Sequence, residues 1–234
     1  MPETNAKSRI LVWDLPQRIA HWLLAASFAG AFITAESERW RDVHVMLGYT
    51  VLALVVFRLL WGFVGTRHAR FASFAFGPSR VLDYVRSLFG STPAHFTGHN
   101  PAGSWAIFAL LACALAAAGT GLATYNEVGG KNLEHLHEFF ANAMLAVVGV
   151  HIVGAIGGSL LHRENLVRAM FTGYKRGPAG DAIGTPRRIV AVMLVAAIVG
   201  LWTGVVPAPG LDTAHAMMPV KTEPGTGAYT ADDD

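Results

Sequence analysis

Apolar residues run along this chain in long blocks, without the strict alternation that marks half-buried strands. Five blocks approach the roughly 20 residues a helix needs to cross a bilayer, covering 18–35, 45–64, 104–125, 137–161 and 189–207. The pattern predicts an all-α fold: an integral membrane four-helix bundle from the first four blocks and a fifth transmembrane helix after it. Polar connections separate the blocks. Within one of them, "GPSRVLDYVRSLFG" puts Val81, Leu82, Val85, Leu88 and Phe89 on one helical face, which predicts an amphipathic helix lying against the membrane surface. No repeat recurs along the chain, which argues against a solenoid.

The predicted organisation is a cytoplasmic leader over 1–17 and a bundle over 18–175 that includes the interfacial segment 66–103. A linker and fifth helix over 176–207 and a mobile acidic tail over 208–234 complete it. The first block lacks the Ala-x-Ala-like cleavage site of a signal peptide, so it reads as a retained span. The tail is rich in Gly, Pro, Thr and Asp, a composition that does not pack.

Composition supports a bilayer as the solvent. Hydrophobic residues make up 53% of the chain and charged residues 15%, against roughly 25% charged in soluble domains. The net charge of +2 matters less than its distribution. Arg67, Arg70, Arg80 and Arg86 lie between the second and third blocks, and Arg163, Arg168, Lys175, Arg176, Arg187 and Arg188 between the fourth and fifth. The alternate connections are short and slightly acidic. By the positive-inside rule the N-terminus is cytoplasmic and the C-terminal tail lies outside. The basic faces suit anionic lipid, and no nucleic-acid motif claims them. The single Cys113, inside an apolar block, can form neither an intrachain disulfide nor a cysteine metal site, and reads as packing.

Ten histidines then change the picture. His68, His95, His99 and His162 fall in or beside cytoplasmic connections and His215 in the tail, where water is expected to solvate them. His21, His44, His137 and His151 fall within or at the ends of apolar blocks, where an ionisable side chain is costly and marks a functional site. His137 and His151 are fourteen residues apart, about four turns less 40°, so one helix presents both on one face about 21 Å apart. His135 fails that phase test and belongs to the exposed start of the helix. In the predicted topology His21 and His151 share the cytoplasmic depth, and His44 and His137 the outer depth. Two imidazole pairs at two depths of one bundle are a ligand set for two bis-histidine haems. No Cys-x-x-Cys-His occurs, which leaves non-covalent b-type haem. Zinc fits less well, because "HEFFA" lacks the second His of a metalloprotease helix.

Arg58 lies fourteen residues after His44, on the same face and about 21 Å further in. A haem propionate would offset the burial of its charge; snorkelling to the interface or pairing with a carboxylate would also do so. Gly48, Gly119, Gly121, Gly149, Gly154 and Gly157 permit close approach of a porphyrin or a helix, and Trp13, Trp22, Trp40, Trp61 and Trp105 fall near block ends as an aromatic belt would.

Taken in order, "VWDLPQRIAHW", "VHVMLGYTVLALVVFRLLWGFVG", "GHNPAGSW", "LHEFFANAMLAVVGVHIVG" and "LLHRENLVRAMFTG" resemble the bacterial cytochrome b561 family, in the branch of b-type cytochrome subunits of nickel-iron hydrogenases. The resemblance covers about residues 9 to 175 and implies a bacterial inner-membrane protein with two b haems. His21 and His151 would bind the inner haem and His44 and His137 the outer one. Arg58, in "FRLLWG", would neighbour a propionate or a quinone. The implied function is electron relay between the quinone pool, with quinone as substrate, and an outer c-type cytochrome or hydrogenase-like redox subunit. Bis-histidine ligation leaves no open iron position, in keeping with outer-sphere transfer. Two other readings stay open at this level: a superoxide:quinone oxidoreductase acting alone, and a haem-free proton-coupled transporter or membrane anchor.

Overall fold

The computed structural model describes residues 8–90 and 93–209. Most of the tail, 210–234, and the first seven residues lie outside the described residues, as does His215. The described elements run β1 (Ser8–Leu11), α1 (Leu15–Thr34), α2 (Arg41–Val64), α3 (Pro78–Leu88), α4 (Pro101–Tyr125), α5 (Gly130–Leu161), α6 (Leu166–Thr172), β2 (Tyr174–Gly177) and α7 (Arg188–Trp202).

Local chemistry sets the helix starts. Asp14 caps α1 by accepting from the Gln17 amide at 2.8 Å, and Asn100 caps α4 by accepting from the Gly103 amide at 2.7 Å. Pro16 and Pro101 each occupy a first-turn position, where a missing N–H costs nothing. The 32 residues of α5 reach about 48 Å, well beyond a hydrocarbon core of about 30 Å. Its first two turns, with Lys131, Glu134, His135 and Glu138, are exposed.

Among the described residues three helical stretches are long and apolar enough to cross a membrane: Glu38–Val64, Pro101–Tyr125 and Gly130–Leu161. Two of the five predicted blocks differ. The 20-residue α1 has Gln17, Arg18 and His21 in its first two turns, and α7 has 15 residues, a rise of about 22 Å.

Helices α1, α2, α4 and α5 pack in that order, with α7 against α1 and α2. The central core is Val51, Val55, Leu111, Ala114 and Met144, with Cys113 packed beside it. A second cluster of Ala20, Leu54 and Leu194 joins α7 to α1 and α2. Much of α5 is exposed on its outer side, including Val150, Val153, Ile156 and Leu160, as a lipid-facing helix requires.

One end of the bundle carries a cap that the all-α expectation did not contain. Residues 8–11 and 174–177 pair as an antiparallel ribbon, Ser8 opposite Gly177 and Leu11 opposite Tyr174. Gly173, at φ +86°, closes α6 and turns the chain into β2, and its carbonyl accepts from the Val12 and Trp13 amides. A Cβ there would lie 2.7 Å from the Trp13 carbonyl oxygen. The remaining connections tie in by side chains: Lys175 to Glu164 at 3.2 Å, Arg67 to Asp181 at 3.1 Å and the Thr97 hydroxyl to Asp181 at 2.8 Å. On α3 the exposed apolar face is Leu82, Val85 and Phe89; Val81 and Leu88 are half-buried and Tyr84 points inward, edge-on to Phe96.

Candidate functional site

At the end of the bundle opposite the cap, His44 in the first turn of α2 faces His137 on α5. Their ring centres are 6.0 Å apart at 85°. Each ring is oriented by a backbone carbonyl on a neighbouring helix: His44 Nδ1 donates to Ala31 and His137 Nδ1 to Ala117, both at 2.8 Å. A carbonyl only accepts, so the proton is on Nδ1 and the Nε2 lone pair is left for a ligand. Gly121 makes room for the second ring, since a Cβ there would lie 2.8 Å from His137 Cε1.

At the capped end, His21 on α1 faces His151 on α5 with ring centres 6.3 Å apart at 55°. Trp22 lies edge-on to His21 at 5.1 Å and stacks on Phe171 at 4.2 Å. Arg18, one turn before His21, donates to the Phe171 carbonyl. His135 is exposed beside Glu138 and joins neither pair.

Each pair brings two imidazoles from different helices together, a donor type that would suit iron. A metal–imidazole bond of about 2.0–2.1 Å, plus about 1.1 Å from each nitrogen to its ring centre, would put two such rings about 6.2–6.4 Å apart, a range that the 6.3 Å pair meets and the 6.0 Å pair falls just short of. The donor chemistry fits as well. Among the described residues no group of three or more His, Cys, Asp or Glu could hold a metal, so the chain offers two imidazoles at each place, and a metal there would need its other ligands from a bound group. The carbonyl-bound Nδ1–H groups are the outer-sphere contacts that metal-ligating histidines carry.

Arg58, in the C-terminal half of α2 towards the capped end, is 9% exposed. Its guanidinium lies over Phe71 at 4.9 Å and Phe74 at 5.7 Å, and neither Nη1 nor Nη2 has a partner. It neither snorkels out nor forms an ion pair among the described residues. The nearby acid, Asp14, is fully buried, and its oxygens accept from the Gln17 amide, Trp61 Nε1 and the Thr66 hydroxyl. Gln17 Oε1, Arg18 Nε, Trp22 Nε1 and His99 Nδ1 are also buried without partners, and all belong to the capped end. Buried polar atoms without a protein partner are satisfied by a polar ligand or by ordered water.

Of the four histidines on these connections expected in water, His68 and His99 are placed differently, while His95 is exposed and His162 half-buried. His68 is 7% exposed, and its Nε2 donates to the Asp181 carbonyl at 2.7 Å. His99 lies between Trp13 at 4.6 Å and Phe74 at 4.4 Å, with Nδ1 shielded from solvent. Burial, then the charges of Arg58, His68, Lys175 and His151, push it well below the ordinary histidine range. His95 lies 3.5 Å from Glu164 and edge-on to His162 at 5.3 Å. The cap, folded from connections distant in sequence, removes His68 and the Nδ1 of His99 from water. The one local signal for His99 was its position directly before the Asn-Pro helix start, which pins it against the bundle.

Residues 12–173 match the family described as prokaryotic cytochrome b561. Similar relatives include proteins named "Probable Ni/Fe-hydrogenase B-type cytochrome subunit" from three bacteria. That of Rhizobium leguminosarum bv. viciae is 24% identical, over 72% of this chain and 90% of its own. That of Bradyrhizobium diazoefficiens is 23% identical, over 71% and 86%, and that of Azotobacter vinelandii is 23% identical, over 74% and 91%. No solved structure matches.

Proposed function

The chain belongs to the prokaryotic cytochrome b561 family, an integral membrane b-type cytochrome, and from that premise we propose that it carries two b haems and relays electrons between membrane quinone and a hydrogenase-like redox subunit at the outer face. The observation that carries this reading is the pair of facing histidine sets, with ring centres 6.3 and 6.0 Å apart, near the separation of two imidazoles that would share one metal. His21 and His151 hold one haem, and His44 and His137 the other. Haem supplies one-electron iron chemistry, and the protein supplies ligands, orientation and a low-dielectric surrounding. The Ala31 and Ala117 carbonyls fix the tautomer of one ligand pair. Arg58 offers a planar two-pronged donor to a carboxylate at the other.

The names of the relatives support a hydrogenase as partner. In this reading α1 and α7 complete the membrane-embedded bundle, with the basic cap in the cytoplasm by the positive-inside rule. Haem b per polypeptide, from a pyridine haemochrome assay on detergent-purified protein, tests the proposal. Two are expected in the native chain, one in His137→Ala and one in His151→Ala. A single haem in the native chain, or none in folded protein, overturns it.

A further inference from the structure

We propose that the capped end of the bundle holds an electron more tightly than the opposite end, because Arg58, His99 and Trp22 form a cradle for a carboxylate of the haem between His21 and His151. The inference rests on the two-haem reading. Six buried side-chain atoms lack a partner among the described residues, and all six are at this end. Four of them, on Arg18, Trp22 and Arg58, can only donate, and one, Gln17 Oε1, can only accept, so the larger unmet demand is for an acceptor. A carboxylate suits the buried guanidinium, which otherwise has aromatic faces alone.

Reduction of haem iron adds one negative charge, so its surroundings decide how readily each end accepts it. Three differences between the ends act in the same direction. The buried Arg58 cation favours the reduced state at the capped end. Asp14, whose charge acts on Arg58, partly offsets that cation without forming an ion pair with it, since its oxygens accept from Gln17, Trp61 and Thr66. At the opposite end both ligands donate Nδ1–H to backbone carbonyls, which makes them stronger donors and favours the oxidised ion. That end also exposes Glu36, Glu38, Glu127, Glu134 and Glu138 against Arg39, Arg41 and Lys131, a field that opposes an added electron.

Spectroelectrochemical titration of purified protein, with haem content measured in parallel, tests this. The native chain titrates in two steps. His137→Ala, which keeps the capped-end haem, shows the upper step, and His151→Ala the lower. Arg58→Gln lowers the upper step by at least a tenfold change in the ferrous-to-ferric ratio, about 59 mV for a one-electron couple, and leaves the lower step in place. Arg58→Lys, which keeps the charge, restores most of the shift. His99→Phe, which keeps an aromatic ring between Trp13 and Phe74, shifts the upper step down as well. Loss of the capped-end haem in Arg58→Gln with retention in Arg58→Lys also supports the cradle. An upper step in His151→Ala, or an unmoved upper step in Arg58→Gln with both haems present, overturns the proposal. Fewer than two haems in the native chain instead overturns the two-haem reading on which it stands.

Discussion

Single side chains decide whether each ring can adopt a ligating position. Gly121 and Gly119 are neighbours on α4, yet only the first is against a histidine: a Cβ at Gly121 would meet His137 Cε1 at 2.8 Å, whereas nothing lies within 4 Å of one at Gly119. Gly121→Ala is therefore expected to displace the ring and remove about half of the reduced α-band absorbance, while Gly119→Ala leaves the spectrum intact. A second expectation concerns protons. Burial holds His68 below its ordinary value of 6.5, so below about 6.5 the unfolded chain takes up a proton that the folded cap resists. The stability this neutral ring contributes is full above that pH and lost as pH falls towards its folded value; His99 acts with the same sign. Amide hydrogen exchange in the segments 66–75 and 174–183, corrected for intrinsic rates, should quicken on acidification from about pH 7.5 to about 5.5. His68→Gln should flatten part of that dependence. A cap equally protected at both values would contradict the assignment.

At the level of elements, starts and stops follow local chemistry, and their loss has a definite cost. Asn100 both caps α4 and pins His99 one residue before it. Asn100→Ala is expected to cost about 1 kcal/mol, read as a lower midpoint for haem release on heating. The helices were legible because apolar blocks and Asp or Asn caps are local properties. Their lengths were less so. Block 137–161 marks only the apolar part of α5, which begins two turns earlier at Gly130, since polar turns continue a helix without altering the hydropathy signal. The ribbon was not legible: Ser8–Leu11 is four residues, and its partner strand begins at Tyr174. A strand that short carries no periodicity, and its pairing is fixed by α6 and Gly173.

In the whole molecule, the cap joins the leader, the segment before α4 and the segment after α5 around a buried pair. Lys175 and Glu164 side chains are 3% and 15% exposed, and Lys175 also donates to the Phe96 carbonyl at 3.3 Å. Removing one partner of such a pair typically costs about 3–5 kcal/mol. Lys175→Ala should therefore open the cap, seen as faster proteolysis at the 162–187 connection, and should affect the His21/His151 end before the His44/His137 end. By itself the sequence determined the helical membrane class, the four histidines in apolar blocks and the shared phase of His137 and His151 on α5, because apolar run length and helical period are written into consecutive residues. Only the tertiary structure decided that His68 and His99 leave water and that, among the described residues, Arg58 lies against aromatic rings without an ion-pair partner and the unsatisfied donors gather at one end. Burial is created by segments that meet in space, and no local pattern records which distant segment will do the covering.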